Sequence, residues 1–248
     1  MKVFVIAEIG VNHNNNLRLA FKLIDKAKES KADAVKFQVF KTENYVKKSS
    51  PLAEYQKKNA IFNNQFDMIK QLELSEVKLN KILKYCKKKK IKFLASPFDE
   101  WGINFLRKNR ISIIKIPSGE INNYNYLEKV GKLKKKIILS TGMSKFNEVK
   151  NAIKILIKSG TKKKDITVLQ CNTEYPTQAK HLNLNVLKTF KKILNINIGL
   201  SDHSQSIIAP SIAVSFGAKV IEKHFTLNKN MKGPDHKSSL DPKQFKMM

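Results

Sequence analysis

Short apolar runs rich in β-branched residues recur along the chain at Val3–Ile9, Ala34–Phe40, Ile91–Ala95, Ile111–Ile116 and Lys136–Ser140. Three more follow at Ile166–Cys171, Ile196–Leu200 and Lys219–His224. Between them lie stretches with helical spacing, among them Leu17–Ser30, Ser75–Lys88, Asn147–Ser159 and Ile207–Gly217. Runs this apolar, without strict alternation, are what strands covered on both faces show, and strands that alternate with helices form parallel sheets. Eight such units in about 225 residues match the count and size of a (β/α)8 TIM barrel. A doubly wound open sheet is the structural alternative. The segment Thr42–Asp67 has neither period and reads as an extended loop after the second strand, long enough to cover a site.

The polar positions have their own order. Each predicted strand ends, on its C-terminal side, in side chains able to bind or react: Glu8 and Asn12–His13; Lys36 and Gln38; Ser96; Lys115, Ser118 and Glu120. The later strands add Ser140, then Asn172–Tyr175, then Ser201–Asp202–His203, then His224. Barrel enzymes assemble their sites from several strand ends at that rim. The lysine runs Lys87–Lys90, Lys134–Lys136 and Lys162–Lys164 each precede a strand and fall on the opposite face.

Composition narrows the classes. The 248 residues suffice for one barrel, and 42% hydrophobic content is that of an ordinary folded protein. No apolar run approaches the ~18 residues of a membrane span, and the first apolar stretch runs into Glu8 without a cleavage site, so neither a membrane nor a signal peptide is expected. Two distant cysteines, Cys86 and Cys171, give no disulfide framework and fit a reducing cytoplasm. The net charge of +28 invites a nucleic-acid reading, but of the 48 basic residues three are Arg, leaving 45 Lys spread along the whole chain. Readers of phosphate and bases rely on the bidentate guanidinium, so no nucleic-acid partner is expected.

Lys36 and Lys115, placed inside a rim, require an anionic partner. They read as a phosphate or carboxylate clamp, as a Schiff-base lysine, or as ion pairs to Glu8 or Glu120. Ser96, Ser118, Ser140 and Ser201 supply hydroxyls at one rim, which beside Lys115 points to phosphate. His203 and His224 end neighbouring strands and suit a divalent metal with open positions, with Asp202 and Asp235 nearby. The carboxylates Glu8, Glu120, Glu174 and Asp235 suit hydrogen bonds to sugar hydroxyls and proton transfer, or pairing with the lysines. No Gly-rich dinucleotide or Walker pattern is present.

Nine segments, in order, resemble the N-acetylneuraminate (sialic acid) synthase family. They are AEIGVNHN at Ala7–Asn14, VKFQ at Val35–Gln38, SPF at Ser96–Phe98, KIPSGEINN at Lys115–Asn123 and LSTGMS at Leu139–Ser144. CNTEYPT at Cys171–Thr177, GLSDHS at Gly199–Ser204, EKHFTL at Glu222–Leu227 and GPDH at Gly233–His236 complete the set. The resemblance implies a barrel that joins phosphoenolpyruvate to an open-chain N-acetylated mannosamine, giving a nine-carbon 2-keto acid and phosphate. It implies Mn2+ or Mg2+ on His203 and His224, and phosphoenolpyruvate on Lys115, Ser118, Ser140 and Ser201, with Ser96. Glu8, Lys36, Gln38, Glu120, Tyr175 and Asp235 match sugar-side positions, and Glu8 or Glu120 would assist an attacking water. The stretch Asn172–Tyr175 looks closer to the legionaminic acid synthase branch, and GPDH differs from the pseudaminic acid branch. Full-length members carry a C-terminal antifreeze-like domain that lends an Arg to the partner in a swapped homodimer; this chain is expected to stop within the eighth barrel helix, without that domain. Two other readings remain open: a Schiff-base aldolase, and an inactive truncated barrel whose positive surface binds polyanions.

Overall fold

The computed structural model describes residues 2–52 and 62–248. Eight parallel strands close into a barrel in sequence order, β1 (Phe4–Gly10), β2 (Ala34–Val39), β3 (Lys92–Pro97), β4 (Ile113–Ile116), β5 (Lys136–Ser140), β6 (Ile166–Cys171), β7 (Asn197–Asp202) and β8 (Val220–His224). Helices α1 (Leu17–Glu29), α4 (Glu76–Lys88), α5 (Glu100–Lys108), α6 (Tyr124–Gly131), α7 (Phe146–Lys158), α8 (Val186–Leu194), α9 (Ala209–Ser215) and α10 (Pro242–Met247) follow the strands, with α2 (Thr42–Tyr45) and α3 (Gln65–Leu72) inserted after β2. The open-sheet alternative is excluded, because β1 pairs with both β2 and β8.

Strand periodicity divides the barrel into tiers. Side chains two apart on a strand face the same way. Ile6, Ala34, Leu94, Ile138, Leu169 and Val220 meet inside as one apolar cluster with Phe4 and Ile113, and plug the N-terminal half. Two residues further along, the same strands carry Glu8, Lys36, Ser96, Lys115, Ser140, Cys171, Ser201 and Glu222, so a ring of polar groups lies directly on the plug. On β7 the plug position is Gly199, where a Cβ would lie 2.5 Å from Leu169 Cδ2 and 2.3 Å from the Val220 carbonyl oxygen. The strand approach there admits no side chain. Outward-facing residues pack against the helices in a second, larger core that includes Leu23, Ile24, Leu79, Leu106, Leu127 and Leu156.

The helix starts follow from local chemistry. Ser75 caps α4 by accepting from Lys78 N at 3.3 Å, and Lys145 N donates to Glu148 at 2.6 Å at the start of α7. The reading of Thr42–Asp67 as a featureless loop is corrected: α2 occupies Thr42–Tyr45 and α3 begins at Gln65. Residues 53–61 of that segment lie outside the described residues. Polar ties invisible to periodicity shape the described parts. Glu73 accepts from Thr42 N and Thr42 Oγ1, each at 3.0 Å, and pairs with Lys41 at 2.8 Å. Asp99 accepts from Lys41 N at 2.9 Å and Asn44 Nδ2 at 3.0 Å while capping α5 through Gly102 N at 2.7 Å. A third apolar cluster of Val11, Phe40, Leu52, Met68 and Leu72 seats this lid on the barrel mouth.

Candidate functional site

The polar ring floors an open cavity of about 240 Å3 at the C-terminal mouth. Of the residues picked from the sequence, Glu8, Lys36, Gln38, Ser96, Lys115, Ser118, Ser140, Tyr175, Ser201, His203, His224 and Asp235 all line it. Glu120 does not: it sits on the 3-10 turn Ser118–Glu120, outside the lining, with its carboxylate taking a hydrogen bond from Asn123 at 2.8 Å. The turn that follows β4 places it at the edge of the cavity, beside the lining residues Ser118 and Gly119. Glu174 is likewise outside, paired at 2.9 Å with His181. Asp202 points away from the histidines, because strand parity turns it outward between Ser201 and His203.

The floor is a buried network of two lysines and two carboxylates. Lys36 Nζ lies 2.9 Å from Glu8 Oε1, donates to Ser96 Oγ at 3.1 Å, and is 3.8 Å from Glu222 Oε1. Lys115 Nζ lies 3.3 Å from that same Glu222 oxygen, which also accepts from Ser201 at 3.0 Å. Glu222 was not singled out from the sequence as a site residue, although it opens the EKHFTL segment. Its place two residues before His224 and two after the plug residue Val220 was the available signal. The expected pairing of a lysine with Glu120 is corrected accordingly: the counter-ion of Lys115 is Glu222.

Burial and neighbours set the charges. Burial pushes the Glu8 carboxyl up to about 7, against the pull of Lys36. Burial works to discharge Lys36, but Glu222 and Glu8 outweigh it and raise its pKa. Lys115 moves down, through burial first and then repulsion from Lys36, with Glu222 opposing. Glu222 moves down despite burial, because Lys115 and Lys36 flank it. One oxygen of each acid, Glu8 Oε2 and Glu222 Oε2, is buried with no partner, and so is Ser140 Oγ. Buried polar atoms are rarely left so in a working site, and these three face ligand space.

Beside the network the two histidines converge, ring centroids 5.3 Å apart. His203 Nδ1 donates to the Asn172 carbonyl, which assigns its proton to Nδ1 and leaves Nε2 as an acceptor, 3.0 Å from the Tyr175 hydroxyl. His224 is held neutral by burial first and then by the nearby His203 and lysines, and its buried Nδ1 has no partner. Asp235 Oδ2 is 3.9 Å from that nitrogen. Asp235 arrives on the loop after β8, which is tied to the loop after β1: Asn12 Nδ2 donates to the Phe225 carbonyl at 3.0 Å and to Ser239 Oγ at 2.9 Å, and Asn14 Nδ2 to the Lys232 carbonyl at 2.8 Å. Asn12 and Asn14, polar just past a strand end, are therefore struts. Among the described residues no group of three or more His, Cys, Asp and Glu side chains is arranged to hold a metal ion alone.

A family profile described as NeuB family matches residues 23–248. The chain belongs to the NeuB family. The resemblance read from the nine segments is thereby borne out, and NeuB-family relatives span nearly all of the chain. It is 46% identical over 248 residues to an N,N'-diacetyllegionaminic acid synthase of Campylobacter jejuni, covering 100% of this chain and 74% of that protein. A second N,N'-diacetyllegionaminic acid synthase, from Legionella pneumophila, is 43% identical over 99% of this chain and 70% of its own length. Among solved structures, an N-acetylneuraminic acid (sialic acid) synthetase of Leptospira borgpetersenii in complex with citrate superposes with a TM-score of 0.86 at 32% identity, covering 99% of this chain and 81% of that one. No helix among the described residues is long and apolar enough to cross a membrane.

Proposed function

We propose that this NeuB-family barrel condenses phosphoenolpyruvate with the open-chain form of an N-acetylated mannosamine-type sugar, giving a nonulosonic acid and inorganic phosphate. The observation that carries the reading is the buried Glu8–Lys36–Glu222–Lys115 network, ringed by Ser96, Ser118, Ser140 and Ser201 and opening on one side to a histidine pair. Two cationic side chains beside four hydroxyls suit a small ligand that bears both a phosphate and a carboxylate. Ser118 Oγ accepts from Gly142 N at 2.9 Å, which fixes its hydroxyl at the cavity wall.

His203 Nε2 and the orphaned His224 Nδ1 offer two imidazole nitrogens, and two carboxylate oxygens nearby lack partners. This donor set fits Mn2+ or Mg2+ with positions left for substrate and water, and does not make a closed structural site. A divalent ion bound there would draw electrons from the sugar's carbonyl oxygen. Carbon 3 of phosphoenolpyruvate bonds to the carbonyl carbon, whose oxygen takes up a proton from solvent, and carbon 2 is left cationic, while Lys36 and Lys115 hold the enol ester in line. Water adds at carbon 2 and gives its proton to Glu8, whose pKa of about 7 suits that transfer. Phosphate, held by Lys115 and the serines, leaves by cleavage of the C–O bond and carries off the proton of the new hydroxyl at carbon 2, which becomes the ketone.

A finer reading concerns the sugar. Val11, Tyr45, Ile69 and Phe98 line the outer part of the cavity. An apolar wall there favours a sugar deoxygenated at its far end, and the 46% identity to a diacetyllegionaminic acid synthase supports the 2,4-diacetamido-2,4,6-trideoxymannose branch over N-acetylmannosamine. A Schiff-base aldolase acting through Lys36 is disfavoured, because that lysine is ion-paired to Glu8 and driven further toward its charged form. Two unlinked buried cysteines accord with a cytoplasmic enzyme. The test is phosphate release from phosphoenolpyruvate with each sugar and Mn2+, with a chelator as control, in 18O-water. Release with the trideoxy sugar, label in the keto acid and loss with chelator are expected. Label in the phosphate, or turnover of pyruvate trapped by borohydride, would refute the reading.

A further inference from the structure

Strand parity sorts the ends of β7 and β8 into two sets. Ser201 and His203, like Glu222 and His224, face the cavity. The residues between them, Asp202 and Lys223, face outward and are register partners across the two strands. On β1, β2 and β4 this outward tier is apolar, at Ile9, Phe37 and Ile116. Here it holds an ion pair of 2.6 Å whose side chains are both 0% exposed. Lys223 Nζ also donates to the carbonyl oxygens of Ser204 at 2.6 Å and Ser206 at 3.0 Å, while Asp202 Oδ1 accepts from Ser204 N at 2.8 Å. One ammonium group thus grips the chain on both sides of His203, from the residue directly before His224.

Stability alone is a poor reason for such a pair. Two charges lose their hydration on burial, and well-packed apolar side chains of similar volume usually serve a fold as well or better. What an apolar pair lacks is a fixed set of bond lengths. The Lys223–Asp202 pair, with its two carbonyl contacts, leaves the turn after β7 a single position relative to the end of β8. That position determines the gap between the two imidazoles on the other face of the same strands.

We propose that Lys223 and Asp202 form a buckle behind the barrel wall which sets the His203–His224 spacing, and so the affinity of the histidine pair for a divalent cation, without touching the cation. This rests on the metal reading given above. Both are positioning residues. The buckle lies behind His203 and His224 and makes no contact with the phosphate-binding side, Lys115, Ser118 and Ser140.

Asp202→Glu separates geometry from charge, because it keeps the ion pair and lengthens the arm by one methylene. The parent chain and this variant are titrated with Mn2+ and followed by the electron paramagnetic resonance signal of the free ion; inorganic phosphate binding is measured in chelator by calorimetry. Expected are a Mn2+ dissociation constant raised about ten-fold or more, in the range of lost outer-shell support at metal sites, and unchanged phosphate binding. A second variant, Asp202→Asn with Lys223→Met, removes the charges together, so it avoids an unpaired buried ion and is expected to fold and to lose Mn2+ affinity by at least as much. A folded Asp202→Glu protein with the parent's Mn2+ affinity overturns the buckle. Failure of both variants to fold overturns it too, by assigning the pair to stability. Lack of Mn2+ binding by the parent itself refutes the metal reading, and the buckle falls with it.

Discussion

Glu222 is the anion on which the floor of the barrel depends, and Glu222→Gln tests this with little change of shape. The amide keeps an acceptor for Ser201, now 3.0 Å away, but removes the charge shared by Lys115 at 3.3 Å and Lys36 at 3.8 Å. At an effective dielectric constant of about 20, a unit pair at 3.3 Å is worth about 5 kcal/mol. Repulsion between Glu222 and Glu8 offsets part of this. Breaking one side of a buried ion pair costs about 3–5 kcal/mol in practice. For a barrel of this size that is a fall in melting temperature of about 6–20 °C. A dianionic ligand on the two lysines replaces the lost charge, so phosphoenolpyruvate should raise the melting temperature of the variant more than that of the parent. Scanning calorimetry of both proteins, with and without the ligand, gives all four numbers. A ligand-free variant that melts within about 2 °C of the parent, or equal ligand shifts in the two proteins, would show that Glu222 does not balance the lysines.

Other expectations follow from single contacts. Ser140 Oγ is buried and has no partner, so Ser140→Ala should leave unfolding unchanged within about 0.5 kcal/mol yet weaken phosphoenolpyruvate binding by about 1 kcal/mol in a calorimetric titration. Asp99 caps α5 and holds Lys41 N and Asn44, so Asp99→Ala should cost about 2–4 kcal/mol in denaturant unfolding, with Asp99→Asn milder. Glu73, held down to about 2 by Lys41, Thr42 and Lys70 against the opposing effect of burial, has a folded pKa below its ordinary 4.5. Its contribution to stability is therefore complete above about 4.5 and fades as pH falls toward about 2. Glu73→Gln should flatten acid unfolding in that window and in no other.

The strands and the rim were legible because both depend on period-two patterning: the apolar plug and the polar ring sit two residues apart on each strand. Strand ends moved by a residue or two, as where β4 begins at Ile113 and not Ile111, since the terminal residues lack ladder partners. The lid was not legible. Its helices are short, and its shape comes from Glu73 and Asp99, whose partners lie 31 and 55–58 residues away in sequence. The place of Glu120 outside the lining was not legible, because a strand end in sequence says nothing about which way the following turn carries its side chain. Glu222 was overlooked for the converse reason: beside Lys223 it reads as half of a local charge pair, and only closure of β8 onto β1 and β7 shows that it faces two other lysines.

The floor, with two cations against two anions, is an internal salt, and that has a consequence for protons. A phosphate ester that settles between Lys36 and Lys115 competes with Glu8 for the ammonium groups that now hold its carboxyl near 7. Glu8 then becomes more basic and takes a proton from solution as the ligand enters. Near neutral pH the heat of binding should therefore change with the ionisation enthalpy of the buffer, positive slope meaning uptake, and the slope should vanish in Glu8→Gln. The substrate would arrive with the proton inventory of the site already altered, and the empty barrel would hold in Glu8 and Lys36 the ion pair that the substrate must loosen.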